Sequence, residues 1–189
     1  MKFHYAGKYS GNPDDLPYIE HEPGAVAFKE AKDANELNKI ITTLSLTIFA
    51  VGHVICWIRA MDLFIDIIGL FLFLLTIVPH EFLHALCFRD DVYMYQDLKH
   101  GMLFVVGPER MSKARAIFKS LLPSIVFGLI PLIIFMIKPD LRPLATMGCL
   151  GLAAAAGDFY NVYNTLTQVP KGGKVYMHKY NTYWYMPKN

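Results

Sequence analysis

Four apolar stretches, each close to the roughly 20 residues a helix needs to cross a hydrocarbon core, most constrain what this chain can fold into. They are 40–57 (IITTLSLTIFAVGHVICW), about 63–88 (LFIDIIGLFLFLLTIVPHEFLHALCF), 117–137 (IFKSLLPSIVFGLIPLIIFMI) and 143–166 (PLATMGCLGLAAAAGDFYNVYNTL). A bilayer offers no water to backbone N–H and C=O groups, so spanning segments must satisfy them within a helix or a closed barrel. The expected fold is therefore an all-α membrane protein with four transmembrane helices. It divides into a cytoplasmic N-terminal region (1–39), a four-helix transmembrane domain (40–166) and a cytoplasmic aromatic, basic tail (167–189). Of the 189 residues 54% are hydrophobic, above the roughly 45–50% usual for globular proteins.

Charge sets the expected orientation. Fifteen Lys and Arg fall in the N-terminal region, between the second and third spans and in the tail, against three (Arg59, Lys138, Arg142) on the opposite side. The positive-inside rule then places both termini in the cytoplasm of a multi-pass cell-membrane protein. The polar start, MKFHYAGKYSGNPDDLPYIEHEP, has no apolar core and is not read as a secretory signal peptide. Cys56, Cys87 and Cys149 lie in or beside apolar stretches and read as small hydrophobes, not as a disulfide framework. Scattered lysines give nucleic-acid binding no support.

The polar parts are short. DANELNKI begins a helix leading into the first span, with Asp33 as candidate N-cap. GMLFVVG, an apolar run between glycines, suits a strand in the cytoplasmic loop. PERMSKARAIFKSLL reads as a basic amphipathic helix start at headgroup level. KVYMHKYNTYWYM is rich in β-formers and aromatics and reads as either a strand or an interfacial anchor.

The chemistry concentrates in PHEFLH, residues 79–84. Ionisable groups within a membrane span are costly and mark function by default. His-Glu-x-x-His on a helix places His80 and His84 on one face, where they can share a zinc ion, with Glu81 positioned to act on a zinc-bound water. The bland reading is a pair of polar residues closing a span at the headgroups.

A catalytic zinc site needs a third protein ligand. His80 lies 17 residues after Leu63, about 26 Å along an inward-running helix. Asp158 lies 15 residues after Pro143, about 23 Å along the other. Equal depth and the small residues of LAAAAGDFYN make Asp158 the expected partner. His53 is at the wrong depth. Asp66 and Asp62 belong near the outer interface. His100, Glu109 and His178 are on the right side, in loops, and remain alternatives to Asp158. Asn161, one turn beyond Asp158, is either an orienting residue or a polar group at the membrane exit. Pro79 removes a helical hydrogen bond to the Leu75 carbonyl, giving either a water path or a packing kink.

PHEFLHALCF followed one span later by GDFYN resembles the site-2 protease class of intramembrane zinc proteases. The wider pattern, with FHYAGKYSGNPDDLP, AVAFKE and YNTYWYMPK, is similar to a family of small bacterial membrane proteins described as putative zincin peptidases. The resemblance implies zinc ligands His80, His84 and Asp158, Glu81 as catalytic base, and a three-helix core to which the first span is an addition. In site-2 proteases the aspartate usually precedes a glycine, whereas here Gly157 precedes Asp158.

The expected function is hydrolysis of a peptide bond near the cytoplasmic membrane face, on a membrane-protein or peptide substrate. The rival from another class is a non-proteolytic metal-binding membrane protein that regulates or assembles partners. A lipid-linked amide or prenylated peptide is an alternative substrate. The spans lack the paired discontinuous helices of a transporter.

Overall fold

A computed structural model describes residues 2–32, 34–62, 64–97, 102–179 and 181–188. The candidate cap Asp33, the expected span start at Leu63, His100 and the first glycine of GMLFVVG lie outside the described residues. The helices are α1 (Ala34–Ala60), α2 (Ile67–Leu86), α3 (Lys113–Ser124), a π-helical segment (Ile125–Leu129), α4 (Ile130–Ile137), α5 (Arg142–Ala154) and α6 (Ala156–Gln168). The strands are β1 (Phe3–Lys8), β2 (Val26–Ala27), β3 (Val92–Asp97), β4 (Met102–Val106), β5 (Met111–Ser112), β6 (Lys174–His178) and β7 (Asn181–Tyr185).

Two expectations are thereby corrected. The protein is mixed α and β, with one sheet ordered β1-β3-β4 and a second ordered β2-β7-β6-β5, not all-α. Three helices among the described residues, not four, are long and apolar enough to cross a membrane: Asn35–Ala60, Ile67–Leu86 and Lys113–Ile137. The stretch expected as the fourth span breaks at Ala155, whose ψ of 13° interrupts the helix. Beyond the break α6 carries Asp158, Asn161, Asn164, Thr165, Thr167 and Gln168, too polar a run for hydrocarbon. Three helices of this length and hydropathy are consistent with a membrane protein.

The chain separates into two compact units. The helical unit contains Ala31–His80 and Ser120–Tyr160. Its apolar side chains remain largely exposed along α1 and α2, as Leu46, Ile58, Ile67 and Phe71 illustrate, which suits a lipid solvent. A buried cluster of Cys56, Phe135, Ala145 and Cys149 holds α1, α4 and α5 together. All three cysteines are free, and the Cys56 and Cys149 sulfurs lie 3.7 Å apart as packed thiols. The α5 backbone presses closely on the π-helical segment. A Cβ on Gly151 would meet the Phe127 carbonyl oxygen at 2.4 Å, so only glycine permits this approach. At the far end Asp66 caps α2 by accepting from Gly69 N–H at 2.9 Å, and Asp62 pairs with Arg142 at 3.0 Å.

The α/β unit contains Met1–Glu30, Glu81–Lys119 and Asn161–Asn189. In its first sheet β1 runs parallel to β3, with Phe3 opposite Val92, and β4 returns antiparallel, with Tyr95 opposite Phe104. The aromatic tail is a β6–β7 hairpin turning at Lys179, whose φ of 56° is the left-handed conformation such tight turns demand. The core packs Ala85 and Phe88 from the end of α2, Ala116 of α3 and Val169 after α6 against Val92, Met111 and Val175.

The basic start of α3 has internal partners. Lys113 Nζ donates to the Leu166 and Val169 carbonyls at 2.9 and 2.5 Å, capping the C-terminal end of α6. Arg115 pairs with Glu109, Arg110 pairs with Glu22, and Lys119 lies over the Phe88 ring.

Candidate metal centre

Helix α2 continues through Pro79 and carries His80, Glu81 and His84 in its last two turns. With 3.6 residues per turn, positions 80, 81 and 84 fall on one side of the helix. One donor atom from each lies within 4.8 Å of the other two, the donor set of a metal centre.

Within the helical unit, His80 Nε2 lies 3.2 Å from Asp158 Oδ2. The two side chains are 17% and 14% exposed, so the pair is withdrawn from bulk water. Asp158 sits in the first turn of α6, where the helix dipole and the unpaired N–H groups favour a carboxylate. That first turn exists because α5 stops at Ala155, so the break that removes the expected fourth span also gives Asp158 its N-terminal position.

The separation supplies a test of fit. Two ligands held by one tetrahedral zinc at about 2.0–2.1 Å lie roughly 3.3 Å apart, close to the observed contact. Imidazole and carboxylate at this spacing can be bridged by a proton or by a metal ion. His80 and Asp158 therefore fit a shared zinc.

In the α/β unit, His84 is 9% exposed and its Nδ1–H donates to the Lys119 carbonyl at 2.9 Å. A carbonyl can only accept, so Nδ1 carries the proton and Nε2 is the ring nitrogen without one. Such outer hydrogen bonds orient a metal-binding imidazole and raise its basicity.

The other sequence candidates are engaged elsewhere. His53 Nδ1–H donates to the Phe49 carbonyl at 3.2 Å, one turn back on α1. His178 Nδ1–H donates to the Ile19 carbonyl at 2.7 Å, and its ring stacks on His21 at 4.0 Å between centroids. Glu109, 7% exposed, accepts from the Arg89 and Asp90 N–H groups and from Arg115, so it latches the chain leaving α2 to α3. Asn161 is exposed, whereas Asn164 one turn later is buried. The residue that sequence reasoning missed is Lys119, acting through its main chain. Its signal was Pro123, four positions on in an apolar helix, where a proline must leave a carbonyl without its usual intrahelical donor.

No curated protein and no solved structure matches the chain significantly. A family model described as "Putative zincin peptidase" matches residues 73–173, just over half of the chain. The match includes the His-Glu-x-x-His turn, strands β3, β4 and β5 beyond it, and Asp158. The family's description implies zinc, and the donor set is consistent with it. With a zinc-type donor set on one helix turn and a model that runs through the whole of it, the chain belongs to the zincin peptidase family so described.

Proposed function

We propose that this zincin peptidase is an intramembrane zinc metalloprotease, with zinc held by His80, His84 and Asp158 and Glu81 as general base. The observation that carries the reading is the 3.2 Å contact between His80 and Asp158, a ligand-to-ligand spacing at the end of an apolar helix. When bound, zinc lowers the pKa of a coordinated water toward about 7 and polarises a carbonyl. Glu81 accepts the proton that water loses as it adds to the scissile carbonyl, then delivers it to the departing amine nitrogen. Structural zinc needs no carboxylate beside its ligands, which disfavours a purely assembling or regulatory metal protein.

The substrate is a membrane protein or membrane-associated peptide, cut near the cytoplasmic face. The α/β unit holds 13 of the 18 Lys and Arg residues and both termini, which supports placing it in the cytoplasm. A helical substrate has its carbonyls occupied and must be extended before attack. β4 is the last strand of its sheet and offers an edge for adding a substrate strand. Met102 is exposed on that strand, so Met102→Pro removes a main-chain donor from it without opening the core. It is expected to lower cleavage of a fluorogenic peptide library in detergent micelles by about tenfold, on the order of one or two lost main-chain hydrogen bonds. Zinc content should stay unchanged. Equal cleavage by Met102→Pro and wild type would remove β4 from substrate binding.

Elemental analysis of detergent-purified protein tests the metal centre. Wild type and Glu81→Gln are expected to carry about one zinc per chain, and His80→Ala and Asp158→Ala to lose it. Full retention of zinc in Asp158→Ala would refute the ligand set.

A further inference from the structure

The long apolar run from Lys113 to Ile137 contains two buried prolines, Pro123 in α3 and Pro131 at the start of α4. In an uninterrupted α-helix the N–H at position 123 bonds the carbonyl at 119. Proline has no N–H, and in this chain the Lys119 carbonyl accepts a hydrogen bond from His84 Nδ1–H instead, at 2.9 Å. We infer that Pro123 is a positioning residue for the metal centre: it withholds the helix's own donor from the Lys119 carbonyl, and that carbonyl fixes His84 as the Nδ1–H tautomer with Nε2 as metal ligand.

The chemistry follows from competition for one acceptor. A backbone N–H at position 123 would be held at the Lys119 carbonyl by helix geometry, at no further conformational cost. The imidazole would then share or lose that hydrogen bond. A histidine without such an anchor exchanges tautomers and rotates, and a part of its population cannot present Nε2. Outer-shell partners of this kind typically contribute about 10–100-fold in metal affinity. Pro131 is a matched internal control, since it is also buried in the same helical run but stands eight residues further along, away from the Lys119 carbonyl.

The inference rests on the ligand set proposed above, and two readouts separate the failure of one from that of the other. The first needs no metal: ¹⁵N-histidine spectra of detergent-solubilised protein report which ring nitrogen of His84 carries the proton, with assignment by His84→Gln. Wild type is expected to show a protonated Nδ1 and an unprotonated Nε2, and Pro123→Ala to show averaged signals. The second is zinc affinity by chelator competition, expected to weaken at least tenfold in Pro123→Ala and to be unchanged in Pro131→Ala. Unchanged tautomer and affinity in Pro123→Ala would overturn the inference, as would an equal loss in Pro131→Ala, which would indicate a general effect of helix repacking. A wild type with the fixed tautomer that binds no zinc would instead overturn the metal centre, and with it any ligand role for His84.

Discussion

Glu81→Gln is expected to reduce hydrolysis of a fluorogenic peptide library in detergent micelles by about 10²–10⁴-fold, the usual contribution of a positioned general base. Glutamine keeps the size of the side chain and its acceptor oxygen but cannot take up a proton at neutral pH. The effect should therefore fall on the rate and not on the metal. Glu81 shares the cluster of donor atoms with His80 and His84, so a ligand role is the real competitor for it. Joint loss of zinc and activity in Glu81→Gln would assign it that role. An unchanged rate with zinc in place would show that another group moves the proton.

The second large effect is structural. Glu109 is 7% exposed, and its carboxylate receives the Arg89 N–H, the Asp90 N–H and the Arg115 guanidinium. Glu109→Ala would leave Arg115 as a largely buried, uncompensated cation, a loss of about 3–5 kcal/mol when one member of a buried pair is removed. The orphaned N–H groups add to this. Since these groups join the end of α2 to the start of α3, thermal unfolding in detergent should shift down by many degrees, visible first in near-ultraviolet circular dichroism. Glu109→Gln, which keeps one acceptor oxygen for the Arg89 and Asp90 N–H groups, should lose less. Equal melting of Glu109→Ala and wild type would show that the latch contributes nothing to stability. The same contacts commit both Glu109 oxygens to holding the chain.

Much of this molecule was legible without coordinates wherever the signal was local. Apolar runs of spanning length identified α1, α2 and the run from Lys113 to Ile137, because helix formation in such segments depends on length and hydropathy. The i, i+4 spacing of His80 and His84 determined that the two imidazoles share a face, whatever the rest of the fold. The apolar run beginning at Met102 became β4, and the aromatic tail became the β6–β7 hairpin. Depth counting pointed to Asp158 as a partner for His80, and the two side chains are in contact.

The errors came from pairings between distant segments. FHYAGK and VYMYQD alternate in ways compatible with strands, yet neither is a sheet alone; each acquires its hydrogen bonds only by lying beside the other. The fourth apolar stretch scored as a span on composition, whereas its break at Ala155 and the close approach of Gly151 to the π-helical segment are matters of helix packing. By itself the sequence determined the apolar helices and the shared helix face of His80 and His84, since these follow from residue type and spacing along one element. Only the tertiary structure decided that three separate stretches fold into one α/β unit, that Lys113 and Glu109 tie its helix ends together, and that the Lys119 carbonyl of α3 accepts from a histidine of α2. Those outcomes depend on which donors and acceptors are brought within about 3 Å by packing, and no period along the chain encodes that distance.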